Sequence, residues 1–430
     1  MTDLFRLSAS EAITRIRAGN LTSEALVRSC LERIESRDAH VKAWVHLDRD
    51  YALAEAHRFD RAANRGPIHG IPFAAKDIMD TADMPTEYGS PIYRGNRPAS
   101  DAACVALSRA AGGVLLGKTV TTEFASRFPW GKTTNPHNPK HTPGGSSSGS
   151  AAAVADFMVP MAFGTQTVGS IIRPAAFCGC IGYKPSYGEV STMGVKENTG
   201  SFDTIGLFGR VVEDLPLFRA AVTGFAPKAL AAVPVDELSI GLCRTMYWDR
   251  AEDYTKTLLE SAAHQLAKAG AKVSDLELGG PFTEFEPMGR RINDYESSRA
   301  LSWERNHHWE LLSEFQRGKL GAWLNISYEQ YREAQAVMVE CRRYLDRAMN
   351  GFDLLLTPSA VGEAPEGLTN TGDTTFNLLS TWTHTPCVTL PVFTGPSGLP
   401  VGIQLVGHRN QDHRLFEATL AVDSVLSEKR

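Results

Sequence analysis

The chain has 430 residues, 43% of them hydrophobic and 22% charged, and its 44 Lys+Arg against 49 Asp+Glu leave a formal charge of -5. That usage excludes a disordered chain, a collagen-like repeat and a small disulfide scaffold. A mildly acidic chain carries no electrostatic footprint for nucleic acid or an anionic membrane, and no window of about 20 residues is apolar and uncharged enough to span a bilayer.

The first third opens helical. Ser8 or Ser10 caps a helix carrying Ala12, Ile13 and Ile16, which Gly19-Asn20 ends. Thr22 or Ser23 caps a second helix, where Leu26, Val27, Cys30, Leu31 and Ile34 recur at three and four and mark one apolar face. Residues 41–47 read as a strand and 51–65 as a helix stopped by Gly66-Pro67. From Ile68 short apolar runs alternate with glycine and proline, as in Ile68-His69-Gly70-Ile71-Pro72-Phe73-Ala74-Ala75-Lys76. Residues 102–111 read as a helix, 113–118 as a buried strand, 143–150 as a small-residue loop entering a helix at Ala151, 158–163 as a strand and 164–170 as a second small-residue loop. Residues 226–234 form a connection, 237–243 and 272–278 are strand-like, and 253–269 is an amphipathic helix. A long stretch over 282–349 is helical and rich in Trp, Tyr, His and Arg, after which 352–358, 387–391 and 401–406 return to the strand pattern. Strand, glycine loop and helix in alternation predict one large α/β domain with a mostly buried sheet. Its parts are N-terminal helices over 1–66, a core over about 68–210, a pocket-shaping helical insertion over about 225–350 and a return to the sheet over 351–430.

Seven cysteines, Cys30, Cys104, Cys178, Cys180, Cys243, Cys341 and Cys387, are odd in number with no pair at zinc spacing. Cys178-Gly179-Cys180 is one residue too tight for a CxxC redox pair. They read as buried free thiols of a reducing compartment. No basic n-region followed by an apolar run opens the chain, so a cytoplasmic protein is expected.

Three features carry chemistry. Lys76 follows the apolar Phe73-Ala74-Ala75, which puts an ammonium at an inward-facing strand end. There it must be paired or lose its proton, and a deprotonated lysine is a general base. The bland alternative is a surface lysine at a strand terminus. Pro143-Gly144-Gly145-Ser146-Ser147-Ser148-Gly149-Ser150 is either a phosphate cradle, which lacks the lysine a P-loop needs, or a strained turn presenting a serine hydroxyl, or a plain flexible loop. In Gly164-Thr165-Gln166-Thr167-Val168-Gly169-Ser170-Ile171-Ile172-Arg173-Pro174, successive amides from Thr167 to Ser170 can converge as an oxyanion hole beside the Ser170 hydroxyl. A tight strand-to-loop turn is the alternative. Together, Lys76, Ser146 and Ser170 supply what acyl transfer needs without a Ser-His-Asp set, since a neutral lysine relayed through one serine can activate another.

At these residues the sequence resembles the amidase signature family of Ser-cisSer-Lys amidohydrolases. Lys76 sits in its lysine motif, residues 143–150 resemble its Gly-Gly-Ser-Ser-Gly-Gly-Ser block, and residues 164–170 resemble its Gly-Thr-Asp-Thr-Gly-Gly-Ser block. The step from Ser146 to Ser170 is the family's spacing. The resemblance extends to Thr134-Asn135-Pro136, Lys184-Pro185-Ser186, residues 203–209, Leu356-Thr357-Pro358 and residues 398–404. It implies a central mixed β-sheet flanked by helices on both faces. It also implies Ser170 as nucleophile, Ser146 after a cis peptide bond as bridge, Lys76 as base, an oxyanion site near Thr167, Val168 and Gly169, and no metal or organic cofactor.

Two residues depart from the family pattern: Val168 stands for a glycine and Gln166 for an aspartate. A valine held at positive φ would be strained there. Ser170-Ile171-Ile172-Arg173-Pro174 is closest to the malonamidase-like branch, so Arg173 is expected to grip a substrate carboxylate, the alternative being an ion pair with Asp77 or Asp80. His137 and His141 are broken apart by prolines, and His307-His308 reads as packing. Tyr295, Trp303 and Trp309 are candidates to line the acyl pocket.

The expected activity is hydrolysis of a small, carboxylate-bearing amide through a Ser acyl-enzyme, with no nucleic acid bound directly, no membrane, and a homodimer as the candidate assembly. The alternatives are an amidotransferase A-type subunit, passing ammonia from glutamine to a partner that works on charged tRNA, and an inactive binding scaffold.

Overall fold

The computed structural model describes residues 3–62, 66–126 and 132–427. Residues 63–65 of the expected helix 51–65 lie outside them. Eleven described strands form one sheet: β1 (Trp44–Leu47), β2 (Pro72–Lys76), β3 (Val114–Thr119), β4 (Met161–Gln166), β5 (Ile181–Lys184), β6 (Thr204–Gly209), β7 (Ser239–Leu242), β8 (Lys272–Asp275), β9 (Leu354–Pro358), β10 (Cys387–Thr394) and β11 (Pro400–Val406). Their order is β1-β3-β2-β4-β6-β5-β10-β11-β9-β7-β8. The sheet is mixed: β2 runs parallel to β3 and β4, and β7 parallel to β8 and β9. The pairs through β6, β5, β10 and β11 are antiparallel. In β2, β3, β4, β5, β6 and β9 every residue is buried. Successive side chains point to opposite faces, so helices cover both faces of this α/β domain.

The helix expected behind Thr22 runs over Ser23–Val41 and takes the first residue of the expected strand 41–47. Lys42 then turns left-handed, its amide bonding Asp38 O, while the Asp38 carboxylate takes the Ala43 amide; the strand starts only at Trp44. The two small-residue runs are also more regular than loops. Gly164, Thr165 and Gln166 belong to β4 and pair with β6. A Cβ on Gly164 would lie 2.5 Å from the Phe208 ring and 2.7 Å from Ser147 Oγ, so close packing, not turning, demands the glycine. The helix expected at Ala151 begins earlier, at Ser148 (Ser148–Ala155), and a Cβ on Gly149 would come within 2.2 Å of Ala43 O.

The segment expected as a helical insertion, about 225–350, also contributes β7 and β8 to the sheet edge. Its helices Phe285–Ala300 and Tyr328–Ala348 pack Met288, Ile292, Met338, Cys341 and Leu345 into a second core around Trp382 and Phe376. Among the described residues no helix is long and apolar enough to cross a membrane, and all seven cysteines are free and buried.

Candidate active site

Strand β2 ends on Lys76, which is fully buried. Its Nζ lies 2.7 Å from Ser146 Oγ and 2.7 Å from Thr165 Oγ1, so its close partners are hydroxyls. Burial pushes the amine well below its ordinary pKa, and the charge of Asp203 works the other way.

Ser146 follows a cis peptide bond to Gly145. Arg173, 1% exposed, donates to Gly145 O at 2.6 Å, to Thr371 Oγ1 at 3.1 Å and to Gly372 O at 2.9 Å. The alternative ion pair of Arg173 with Asp77 or Asp80 is not formed: Asp77 meets Lys118 Nζ at 3.1 Å, and Asp80 accepts from the Tyr88 hydroxyl. Arg173 thus ties the backbone ahead of Ser146 to the 371–372 loop, two segments that no local pattern connects.

Ser170 lies between β4 and the buried helix Ile172–Cys178. Gln166 holds this turn from its start. Its Oε1 accepts from the amides of Ile171 and Ile172 at 2.8 and 3.0 Å, and its Nε2 donates to Thr381 Oγ1 at 2.8 Å. The Thr381 hydroxyl lies 2.9 Å from Val168 O, and Trp382 Nε1 donates to Thr167 O. The Thr167 hydroxyl donates to Asp203, whose other oxygen takes the amides of Asn198 and Thr199. Burial pushes the Asp203 carboxyl up to about 6. Val168 is not among the residues with positive φ, so the strain expected of a valine there does not arise. At Gly169 a Cβ would fall 2.3 Å from Asn377 Oδ1, which fixes glycine by close approach.

Ser170, Arg173, Thr167 and Val168 border one cavity of about 320 Å³. Its far wall comes from the helical segment, with Arg290, Asp294, Phe315 and Lys319, and Trp382 closes one side. The aromatic candidates lie elsewhere. Tyr295 stacks on Tyr331 at 4.1 Å between centroids, Trp303 is 49% exposed against Tyr93, and Trp309 is 37% exposed. None of the three borders this cavity. Trp382, Asp203 and Thr165 are the residues that sequence reasoning did not single out. Asp203 lay at the head of a matched block, whereas Trp382 carried no local signal. His137 and His141 bond the carbonyls of Cys178 and Ala364, consistent with structural duty.

Lys76 and the Ser146 segment meet beside β4, and the continuation of that strand carries Ser170 to the rim of the cavity. The Amidase family profile matches residues 25–416, and the chain belongs to the amidase signature family. A glutamyl-tRNA(Gln) amidotransferase subunit of Chloroflexus aggregans, the A-type one, is 33% identical, with 95% of this chain and 94% of that one covered. The crystal structure of an amidase superposes with a TM-score of 0.89 at 29% identity, covering 97% of this chain and 99% of that one. The native peptide amidase from Stenotrophomonas maltophilia gives 0.84 at 29% identity, over 98% and 97%. By family, the chain is a hydrolase-class enzyme acting on carbon–nitrogen bonds.

Proposed function

We propose that the chain cleaves the C–N bond of a small amide through an acyl-enzyme on Ser170, releasing ammonia or an amine. Neutral Lys76 takes the proton of Ser146 as Ser146 takes that of Ser170. Ser170 Oγ attacks the carbonyl carbon, and the tetrahedral oxyanion rests on amides of the Thr167, Val168, Gly169 and Ser170 segment. Ser146 passes its proton to the leaving nitrogen, the C–N bond breaks, and water activated by the same relay hydrolyses the ester. The observation that supports this most is a fully buried Lys76 amine 2.7 Å from the Ser146 hydroxyl and lowered in basicity by burial. Arg173 borders the cavity and is proposed to receive a carboxylate on the substrate. The buried free thiols suit a cytoplasmic setting.

A second reading is favoured by the similarity at 33% over nearly the whole of both chains to an A-type amidotransferase component, and that likeness speaks for it more strongly than for stand-alone hydrolysis of another amide. The amide would then be glutamine, and the ammonia would pass to a partner acting on charged tRNA. Both readings share the cleavage chemistry. They separate on ammonia release from glutamine and from a panel of neutral and carboxylated amides, measured with the chain alone and after co-purification of partners. Glutamine turnover that depends on a co-purified protein selects the second reading; turnover of a small carboxylated amide by the chain alone selects the first. No ammonia or amine released from any amide under either condition contradicts both.

A further inference from the structure

Another cavity, of about 360 Å³ and in the range of ligand sites, is lined by residues none of which borders the catalytic cavity. One wall is a single face of the helix Tyr328–Ala348, where Arg332, Gln335, Val339 and Arg342 recur at three, four and three. The opposite wall carries Tyr187, Ser201 and His384, and the floor is Ile292 and Met338.

Among the described residues neither arginine of this cavity forms an ion pair. Arg342 is half-buried, its Nε donates to Trp382 O at 3.1 Å, and among the described residues no carboxylate pairs with it. Burial and the charge of Arg409 push its pKa down to about 10. Arg409 itself is paired with Asp346. Arg332, at the exposed mouth, donates to Gln335. Glu296 on the neighbouring helix accepts from the Ser201 amide and hydroxyl and from the Tyr331 hydroxyl, and forms no ion pair with Arg342. His384 stacks on Tyr187 with centroids 4.0 Å apart and holds Ser201 O through Nε2, and burial keeps its ring neutral. A guanidinium withdrawn from water with no protein counter-ion, opening into a cavity with an apolar floor, is suited to receive an anion.

We propose that this cavity binds a carboxylate carried on an apolar body, with the carboxylate on Arg342 and the body against Ile292, Met338 and Val339. Arg332 at the mouth adds attraction for the incoming charge. Because Arg342 holds the carbonyl of Trp382, and Trp382 Nε1 holds Thr167 O, an occupant here touches the support of the Ser170 turn without entering the catalytic cavity. The proposal is independent of which amide the enzyme cleaves.

Titration calorimetry on the full chain with phenylacetate and with inorganic phosphate tests it. Phenylacetate is expected to bind more tightly than phosphate. Arg342→Gln, which loses the charge, and Val339→Asp, which places a like charge on an exposed position, should each weaken it by about tenfold or more. Arg173→Ala should leave that affinity in place. The inference is overturned by absence of phenylacetate binding at millimolar concentration, by phosphate binding as tightly, by undiminished affinity in Arg342→Gln or in Val339→Asp, or by loss of binding in Arg173→Ala alone.

Discussion

Lys76 and Lys118 lie on the adjacent parallel strands β2 and β3, both fully buried, and differ in their company. Lys118 has the Asp77 carboxylate at 3.1 Å, whereas Lys76 has two hydroxyls at 2.7 Å. One is half of a buried ion pair; the other is a buried amine without a close counter-charge, the environment that favours the neutral base.

Substitution should separate the two. Lys76→Ala is expected to slow amide turnover by about 10²–10⁴-fold, and Lys76→Arg should not restore it, because a guanidinium does not give up its proton. Lys118→Met leaves the buried Asp77 carboxylate with the Glu87 amide but without its cation, which should cost about 3–5 kcal/mol in a denaturant titration. Turnover assays and urea melts on the two variants check this pair of outcomes.

The rate should rise with pH as Lys76 loses its proton. Asp203 raises the Lys76 pKa through space, so Asp203→Asn should move the acidic limb of the pH–rate profile to lower pH. Asp203 is itself raised from 3.8 to about 6, so the folded state holds its proton more tightly than the unfolded chain does. Its contribution to stability is complete below pH 3.8 and is lost as pH rises to about 6. Asp203→Asn should remove that component from melting curves taken across the same window.

Arg173 faces both the Gly145 carbonyl and the cavity, and its two duties predict different kinetic signatures. In Arg173→Ala, kcat should fall for every amide, because the backbone ahead of Ser146 loses its tether. KM should rise, by about tenfold or more, only for amides bearing a carboxylate. Equal changes in KM for neutral and carboxylated amides would remove the carboxylate grip.

Gln166 can hold both the Ile171 and Ile172 amides and the Thr381 hydroxyl because one end of its amide accepts and the other donates. Gln166→Glu keeps the first duty and loses the second. A carboxylate oxygen there would draw the Thr381 proton away from the carbonyls of Val168 and Asn377, which it meets at 2.9 and 2.8 Å. The Ser170 turn should loosen, with about 1–3 kcal/mol lost from transition-state stabilisation. A fall in kcat at unchanged KM is the expected reading.

Lys76, Ser146 and Ser170 stand out in the sequence because each sits in a local run whose composition is hard to explain otherwise. The α/β alternation was legible for the same reason, since periodicity and glycine punctuation are local. Gly164 to Gln166 misled because glycine and threonine serve a tightly packed strand as readily as a turn, and only the ring of Phe208 decides between them. The supports of the site were not legible. Arg173 reaches Gly372 across 199 residues, and Trp382 reaches Thr167 across 215. Such contacts are set by the sheet order and leave no mark at either position. The aromatic stretch around Trp303 and Trp309 drew attention by composition, yet those rings pack near the surface while a buried tryptophan from elsewhere walls the cavity.

The most direct measurement is intact-mass and peptide-mapping analysis after exposure to a fluorophosphonate. One adduct on Ser170 is predicted for the wild-type chain, formed at least about 10²-fold more slowly in Lys76→Ala, as loss of a general base requires. No adduct on Ser170, or labelling of Lys76→Ala at the wild-type rate, would contradict a relay that starts from that buried amine.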